Sequence, residues 1–386
     1  MAGACAPDTE LTAVSLGGGN DRPPLGPAGA ALVDPPAGAT DVPVNLAAIV
    51  LRLPAPVLWG SEGVRICEGA SARVPSGSPA EESCTGGVCY RVPLTGTLPA
   101  GAACSIAFGA GNEDASGTVL PAGVVGIFDT AAVVDTAPPV LSEVSVATAG
   151  PCLAVRFSTD EPAAGVVTVT AAGIEVSSGA GVGQTAFDLA VSLAGLPPAA
   201  SATVVVSATD RAGNVAASAA LPFQTPPALP PIAVTEVLAN AAGPEPAQEY
   251  VELRNLGSEA VPLGGLRLED SKGGDDLPPE VLAPGAYALV VTSTYDPAQG
   301  QDPAPRAGTL LVRVDSRLGS DGLSNGGEAV KLVQGDSVVS SYGGWVDVSS
   351  SVWAGRAVHR LVQSACDRPD AWNATPLPPT PGAGPP

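Results

Sequence analysis

The sequence predicts an all-β chain built as three tandem sandwiches joined by proline-rich linkers. Three observations carry that expectation. Gly and Pro account for 47 and 41 of the 386 residues, which fills the chain with turns and leaves little room for helices. Apolar residues recur with a period of two. In Glu249–Asn255 (EYVELRN), Val251 and Leu253 alternate with Glu252 and Arg254, so one face is expected on a core and the other in water. Two segments, DTAPPV at 135–140 and PPALPP at 226–231, fix extended backbone and separate stretches of about one sandwich each.

Composition narrows the function. With 17 Lys and Arg against 38 Asp and Glu, the net charge is −21, which opposes binding to nucleic acid and to anionic membrane surfaces. Aromatic residues make up only 4%, so the cores are expected to be Val, Leu and Ala. No apolar run reaches the ~18 residues that a membrane-spanning helix needs.

Seven cysteines are present: Cys5, Cys67, Cys84, Cys89, Cys104, Cys152 and Cys366. They contain no Cys-x2-Cys pair, and the single histidine, His359, is isolated, so zinc is a poor reading. Disulfides, and with them an oxidising compartment, are the better one. The four cysteines between 67 and 104 allow three connectivities. Cys84 and Cys89 flank a plausible tight loop, TGGV, which would leave Cys67 with Cys104. Cys152 and Cys366 fall in different expected domains; they either bridge the two or stay buried and reduced.

Residues 1–30 read as a disordered tether without a charged start or an apolar stretch of signal type. Ala2-Gly3-Ala4-Cys5 nevertheless resembles the end of a bacterial lipobox, with Ala2 where Leu is preferred. That resemblance implies a start further upstream, a lipid on Cys5 and a flexible Gly- and Pro-rich tether behind it. An ordinary N-terminal tail with a chance cysteine is the competing reading.

Residues 31–135 resemble a bacterial immunoglobulin-like domain. VDPPAGATDVPVN (33–45) matches its opening motif and AIVLRLPAPV (48–57) its first strand, with Leu53 in place of Phe. LPAGAACSIAF (98–108) matches a later strand with Cys104 in place of Tyr, and GIFDT (126–130) closes the unit. Residues 138–225 resemble a second immunoglobulin-like or fibronectin type III-like domain. There LAVRFSTDEPAAGVVTV (153–169) reads as strand, acidic turn, strand, and Ala208, Asp210, Gly213 and Asn214 form a familiar turn.

Residues 231–386 carry the most specific pattern. Glu236-Val237 opens it, and Glu249–Asn255 forms the central strand. Leu263, Gly265, Leu268 and Asp270 make a turn, followed by Pro284-Gly285. Tyr287, Leu289 and Val291 then share one face, and Leu323–Gly327 contains an Asn-Gly-Gly turn, a hairpin-type signal, ahead of Val330 and Leu332. Arg360, Trp372 and Thr380-Pro381-Gly382 close it. This series resembles the lamin-tail domain, an immunoglobulin-like module, with Leu266 where Trp is usual and Glu328 where Asp is common. The resemblance implies an accessory module that tethers rather than catalyses.

Chemistry is sparse. His359 lies in AVHRL, a strand in which it is expected to be exposed, and no Gly-x-Ser-x-Gly elbow exists to pair with it. Two carboxylate groups, Glu269/Asp270/Asp275/Asp276 and Glu113/Asp114, offer oxygens that suit Ca²⁺, but neither has EF-hand spacing, and capping of turns is the commoner role. No other cofactor is implied. Asn373 heads an Asn-Ala-Thr acceptor, relevant only to a eukaryote-like secretory path. Trp345, Trp353 and Tyr342 are candidates for an aromatic platform that binds a polysaccharide, against the simpler reading that they pack a sandwich edge. The resulting expectation is a non-enzymatic exported surface protein, structural or adhesive. It would be held at the envelope through Cys5 or secreted, with a protein or polysaccharide partner. The alternative is a carbohydrate-binding module of the cell envelope.

Overall fold

The computed structural model describes residues 26–67, 76–82, 87–362 and 366–385. Cys5 and Cys84 lie outside the described residues. The chain is all-β. Among the described residues the only helical turns are two 3-10 segments, Ser351–Trp353 and Pro369–Ala371. The chain divides into two compact units. One ends at Ala137 and includes Arg211–Gly213; the other comprises Pro138–Asp210 and Asn214–Pro386.

The first unit contains a four-stranded sheet ordered Ala31–Asp34, Ala48–Leu53, Val88–Pro93, Ala80–Glu82 and a three-stranded sheet ordered Val64–Ile66, Ala103–Phe108, Gly123–Asp129. Ile49, Leu51 and Val92 from the first sheet meet Ile66, Ile106 and Phe128 from the second in one buried cluster. The Cys67–Cys104 disulfide lies inside that cluster. Cys89 is also buried and disulfide-bonded.

In the second unit, residues 138–225 form a six-stranded sheet dominated by two long strands, Cys152–Ala171 and Ile174–Ser192. The first half of Cys152–Ala171 pairs with Leu141–Ala149, and the second half pairs with Ser201–Asp210. The two halves meet at an irregularity between Ser158 and Ala163. The acidic turn expected in 153–169 is therefore absent. Asp160-Glu161-Pro162 passes the bend inside the strand, because pairing resumes at Ala163 with Gln184 and a second irregularity, between Ala163 and Gly165, takes up the offset. Side chains replace the turn's hydrogen bonds: Thr159 Oγ1 donates to the Glu161 carbonyl at 2.7 Å, and Asp160 accepts from the Val140 N–H at 2.7 Å. Phe157 and Phe187 stack next to the bend with centroids 4.4 Å apart. Gly165 lies against them, and a Cβ there would approach both rings to 2.6 Å.

Residues 231–385 form the second part of this unit. A five-stranded sheet runs in the order Leu310–Arg313, Tyr287–Val291, Tyr250–Asn255, Ile232–Leu238, Val358–His359. A four-stranded sheet runs Gly274–Asp276, Arg267–Glu269, Ala329–Gln334, Ser337–Gly343. Val234, Val251, Leu253 and Val290 of one sheet and Leu268, Val330, Leu332 and Val339 of the other share a core. Arg360, buried, links the two sheets: its Nε donates to the Val234 carbonyl at 2.8 Å and its guanidinium to the Ser341 carbonyl at 2.5 Å. Its plane lies 4.7 Å from the Trp372 ring.

The five-stranded sheet departs from the sequence reading on its outer face, which is buried too. Leu238, Tyr250, Leu289 and Val291 form a second cluster there with Tyr295. The expectation that Glu252 faces water is thus corrected, since the chain's C-terminal segment covers that face. A register shift between Val234 and Glu236 turns Glu236 onto the same outer side, beside Glu252.

Candidate functional site

The outer face carries a row of three ionisable side chains. Glu236 is the cross-strand partner of Glu252 on one side and of His359 on the other. All three are 1% exposed. His359, expected to be an exposed strand residue, is instead buried, because residues 375–384 run over the sheet edge on which it lies.

The hydrogen bonds of the row all point to that covering segment or to the strands beneath it. Tyr250 donates its hydroxyl to Glu236. Thr380 donates its N–H to Glu236 Oε1 and Oε2 at 3.1 and 3.2 Å and its hydroxyl to Oε2 at 3.1 Å. Glu252 accepts from the Thr235 hydroxyl at 2.7 Å and from the Gly382 N–H at 2.6 Å. Gly382 has φ +84°, and a Cβ there would lie 1.9 Å from Thr309 Oγ1, so only glycine brings its N–H to Glu252. Asn373 is buried as well; it accepts from the His359 N–H at 2.5 Å and donates to the Thr375 carbonyl at 2.6 Å. A side chain so placed is closed to glycosylation.

Electrostatics fix where the protons lie. His359 Nε2 is 2.9 Å from the Pro378 carbonyl, which can only accept, so Nε2 carries hydrogen. Nδ1 then faces Glu236 Oε2 at 3.3 Å, and one proton sits between them. Burial lowers the His359 pKa and raises Glu236 to about 7, against the donors of Tyr250 and Thr380 that favour its ionised form. Burial, with the neighbouring Glu236 second, raises Glu252 to about 8. Burial also holds the Tyr250 phenol well above its usual value. Both shifts favour the neutral pair, with the proton on the Glu236 carboxyl and the imidazole uncharged, as pH falls below about 7. The row binds chain and holds protons.

A second acidic cradle holds the 318–328 loop. Glu249 accepts from the Leu323 N–H at 2.7 Å, and Glu328 accepts from the Ser324 N–H at 2.8 Å and from the Ser271 hydroxyl. Burial raises the Glu249 pKa to about 7.

The carboxylates proposed for Ca²⁺ are engaged in turns. Asp114 accepts from the N–H groups of Ser116 and Thr118 at 2.8 and 3.0 Å, which lowers its pKa. Asp270 accepts from Lys272 and Gly273, both at 2.7 Å, and Asp275 accepts from Gly319 at 2.7 Å. Asp276 and Glu269 both pair with Arg267. Of the proposed aromatic platform, Tyr342 and Trp353 are buried in the core. Only Trp345 is outside, at 46% exposure, with its ring against Gly343 and its Nε1 donating to Asp367 at 3.2 Å.

Cys152 and Cys366 form a disulfide with Cα atoms 5.5 Å apart, which joins the 138–225 sheet to the 231–385 sandwich inside the second unit. Arg368 donates to the Asp188 carbonyl at 2.8 Å beside it. Sequence reasoning missed the roles of Glu236, Glu252, Tyr250 and Thr380. The available signal was polar residues recurring inside the motifs Glu-Val, Glu-Tyr-Val-Glu-Leu and Thr-Pro-Gly, where packing alone calls for apolar ones.

The fold defines an all-β, disulfide-bearing chain whose most elaborate module is an immunoglobulin-like sandwich. Residues 225–345 match the family model of the Lamin Tail Domain. The match ends before His359, Arg360 and Thr380, which complete the outer face. No curated protein matches the chain. Among solved structures it is similar to a cytokine receptor complex, at 16% identity and TM-score 0.20 over 50% of this chain and 94% of that one. It is also similar to a DUF4876 family protein from Bacteroides thetaiotaomicron, at 12% identity and TM-score 0.24 over 52% and 83%.

Proposed function

We propose that this chain is a non-enzymatic exported protein of the cell surface, structural or adhesive, that presents its lamin-tail module to a protein or polysaccharide partner. The Cys152–Cys366 disulfide is the observation that supports this reading most. A bridge between two modules persists in an oxidising compartment and would be reduced in the cytosol. The one histidine of the buried row is committed to the Pro378 carbonyl and to Glu236.

The experiment is mass mapping of cysteines in protein taken from its source cells, together with protease shaving of the intact cells. The expected result is a linked Cys152–Cys366 peptide pair and release of fragments by shaving. Reduced thiols in a shaving-resistant protein overturn the proposal. Anchoring through Cys5 is part of the same proposal. A single acyl chain binds with only ~10⁴ M⁻¹, so stable anchoring implies several chains on that residue. Cys5→Ser should then move the protein from the detergent phase to the soluble fraction.

Trp345 favours a second reading, a carbohydrate-binding module. Its exposed ring lies against Gly343, and its Nε1 donates to Asp367. Retention on insoluble polysaccharide that Trp345→Ala abolishes would support it, and equal retention of both forms would exclude it.

A further inference from the structure

We propose that residues 376–384 form a proton-controlled strap, seated on the Glu236–Glu252–His359 row while the row holds its protons and lifted when its carboxyls ionise. The geometry comes first. Three titratable side chains stand side by side on neighbouring strands, and one segment covers them all. That segment is fastened mainly by the row itself: Thr380 to Glu236, Gly382 to Glu252 at 2.6 Å, and the Pro378 carbonyl to His359 at 2.9 Å. Among the described residues two further backbone hydrogen bonds join it to the rest of the chain, and Pro379 and Pro381 are buried. The Ala357 N–H donates to the Leu377 carbonyl at 3.0 Å, and the Arg306 N–H to the Pro381 carbonyl at 2.9 Å.

The strap's sequence, PLPPTPGAG, contains no charged side chain, so it brings no counter-charge to the carboxylates it buries. The other groups facing the row offset its burial only in part. From the Tyr250–Asn255 strand come Tyr250, a neutral donor, and Arg254, whose guanidinium lies 5.1 Å over the Tyr287 ring and whose charge lowers the Glu252 pKa by less than burial raises it. Tyr287 on the next strand and Tyr295 behind Tyr250 are phenols whose pKa burial raises further. Arg306 reaches the strap through its backbone. Once Glu236 and Glu252 are both ionised, two directly opposed carboxylates share one neutral imidazole in a dry site. Lifting the strap admits water to both.

The sign follows from linkage. Seated, the carboxyls have pKa values of about 7 and about 8; in water both would lie near the usual glutamate value. The seated form therefore holds more protons between that value and about 8, and rising pH drives the strap open across this window. His359, lowered by burial, acts in the opposite sense, and only at the acid end.

Hydrogen exchange of the full chain, corrected for intrinsic rates, tests the proposal at about pH 5.5 and about pH 8.5. Protection of the Thr380 and Gly382 amides should fall roughly tenfold or more between the two, while Val251 and Leu253 in the sheet beneath keep theirs. In the Glu236→Gln/Glu252→Gln double variant the strap should show no such change. Equal strap protection at both pH values, or the same fall in the double variant, overturns the proposal. If that variant does not fold, carbon NMR of the wild-type glutamate carboxyls decides: titration of Glu236 and Glu252 at ordinary glutamate values with the strap still protected also overturns it.

Discussion

Glu236 and Glu252 lie directly opposite each other on neighbouring antiparallel strands, and both are buried. Opposed like charges destabilise a strand pair, so this arrangement is stable only because protons and backbone donors are shared out along the row. A substitution at Glu252 is accordingly far from silent. Glu252→Ala leaves the Gly382 N–H without its acceptor and the Thr235 hydroxyl with only its 3.4 Å bond to the carbonyl of residue 252, at a cost of about 1–3 kcal/mol. Glu252→Gln retains an acceptor and should cost less. Leu253→Asp, which places a carboxylate in the inner core, should unfold the sandwich outright. Urea titration of the three variants checks the order Gln, Ala, Asp of increasing damage.

That order departs from what alternation alone gives. The period of two in EYVELRN correctly placed Val251 and Leu253 on the core. It could not tell that the other face is covered as well, because the cover comes from Thr380–Gly382, more than a hundred residues away, through bonds to backbone N–H groups. His359 was misplaced for the same reason. Local signals served better where the determinant is local: the strands at Tyr250–Asn255 and Tyr287–Val291 and the Pro-Gly and Asn-Gly-Gly turns were legible. The long strands at 152–192 were not, since Asp160-Glu161-Pro162 has turn chemistry and only the resumed pairing of Ala163 with Gln184 overrides it. The platform residues Tyr342 and Trp353 are chemically suited to either surface or core, and tertiary packing alone decides between them.

Glu249 provides a pH prediction separate from the strap. Its folded pKa, about 7, exceeds the ordinary glutamate value because of burial, with Glu245 and Glu328 adding repulsion. The stability it contributes is therefore full below the unfolded value and is lost as pH rises toward about 7. Wild-type thermal melts should show a falling midpoint across that range. Glu249→Gln should flatten the fall while keeping an acceptor for the Leu323 N–H. An unchanged slope in the variant contradicts the assignment.

Gly165 should resist even the smallest substitution. A methyl group there meets the Phe157 and Phe187 rings at 2.6 Å, so the stacked pair must separate or the strand must shift. Gly165→Ala should cost about 1–3 kcal/mol by overpacking. Gly181→Ala, on the neighbouring long strand, adds the same methyl group into open space without a positive φ and serves as the control. Differential scanning calorimetry of the two variants separates the contributions; equal losses would mean that the ring contact contributes nothing.

Cys67–Cys104 and Cys152–Cys366 should respond differently to reduction. Cys67–Cys104 closes a separation of 37 residues inside one core, and its loss should cost the first unit ~4 kcal/mol by the chain-entropy relation. Cys152–Cys366 spans a separation of 214 residues, for which the same relation gives ~5 kcal/mol. That larger figure is an upper bound, because the intervening chain is folded on both sides of the bridge and its loop is already closed by packing. Its main effect is on coupling: it ties the 138–225 sheet to the sandwich that carries Arg368 and Trp372. Cys152→Ser/Cys366→Ser should therefore split the melting of the second unit into two transitions while lowering each only slightly. Cys67→Ser/Cys104→Ser should lower a single transition of the first unit by several degrees. A single shared transition in the Cys152→Ser/Cys366→Ser variant would mean that side-chain contacts such as Arg368 with Asp188 suffice to couple the two modules, and the disulfide would then have no coupling role.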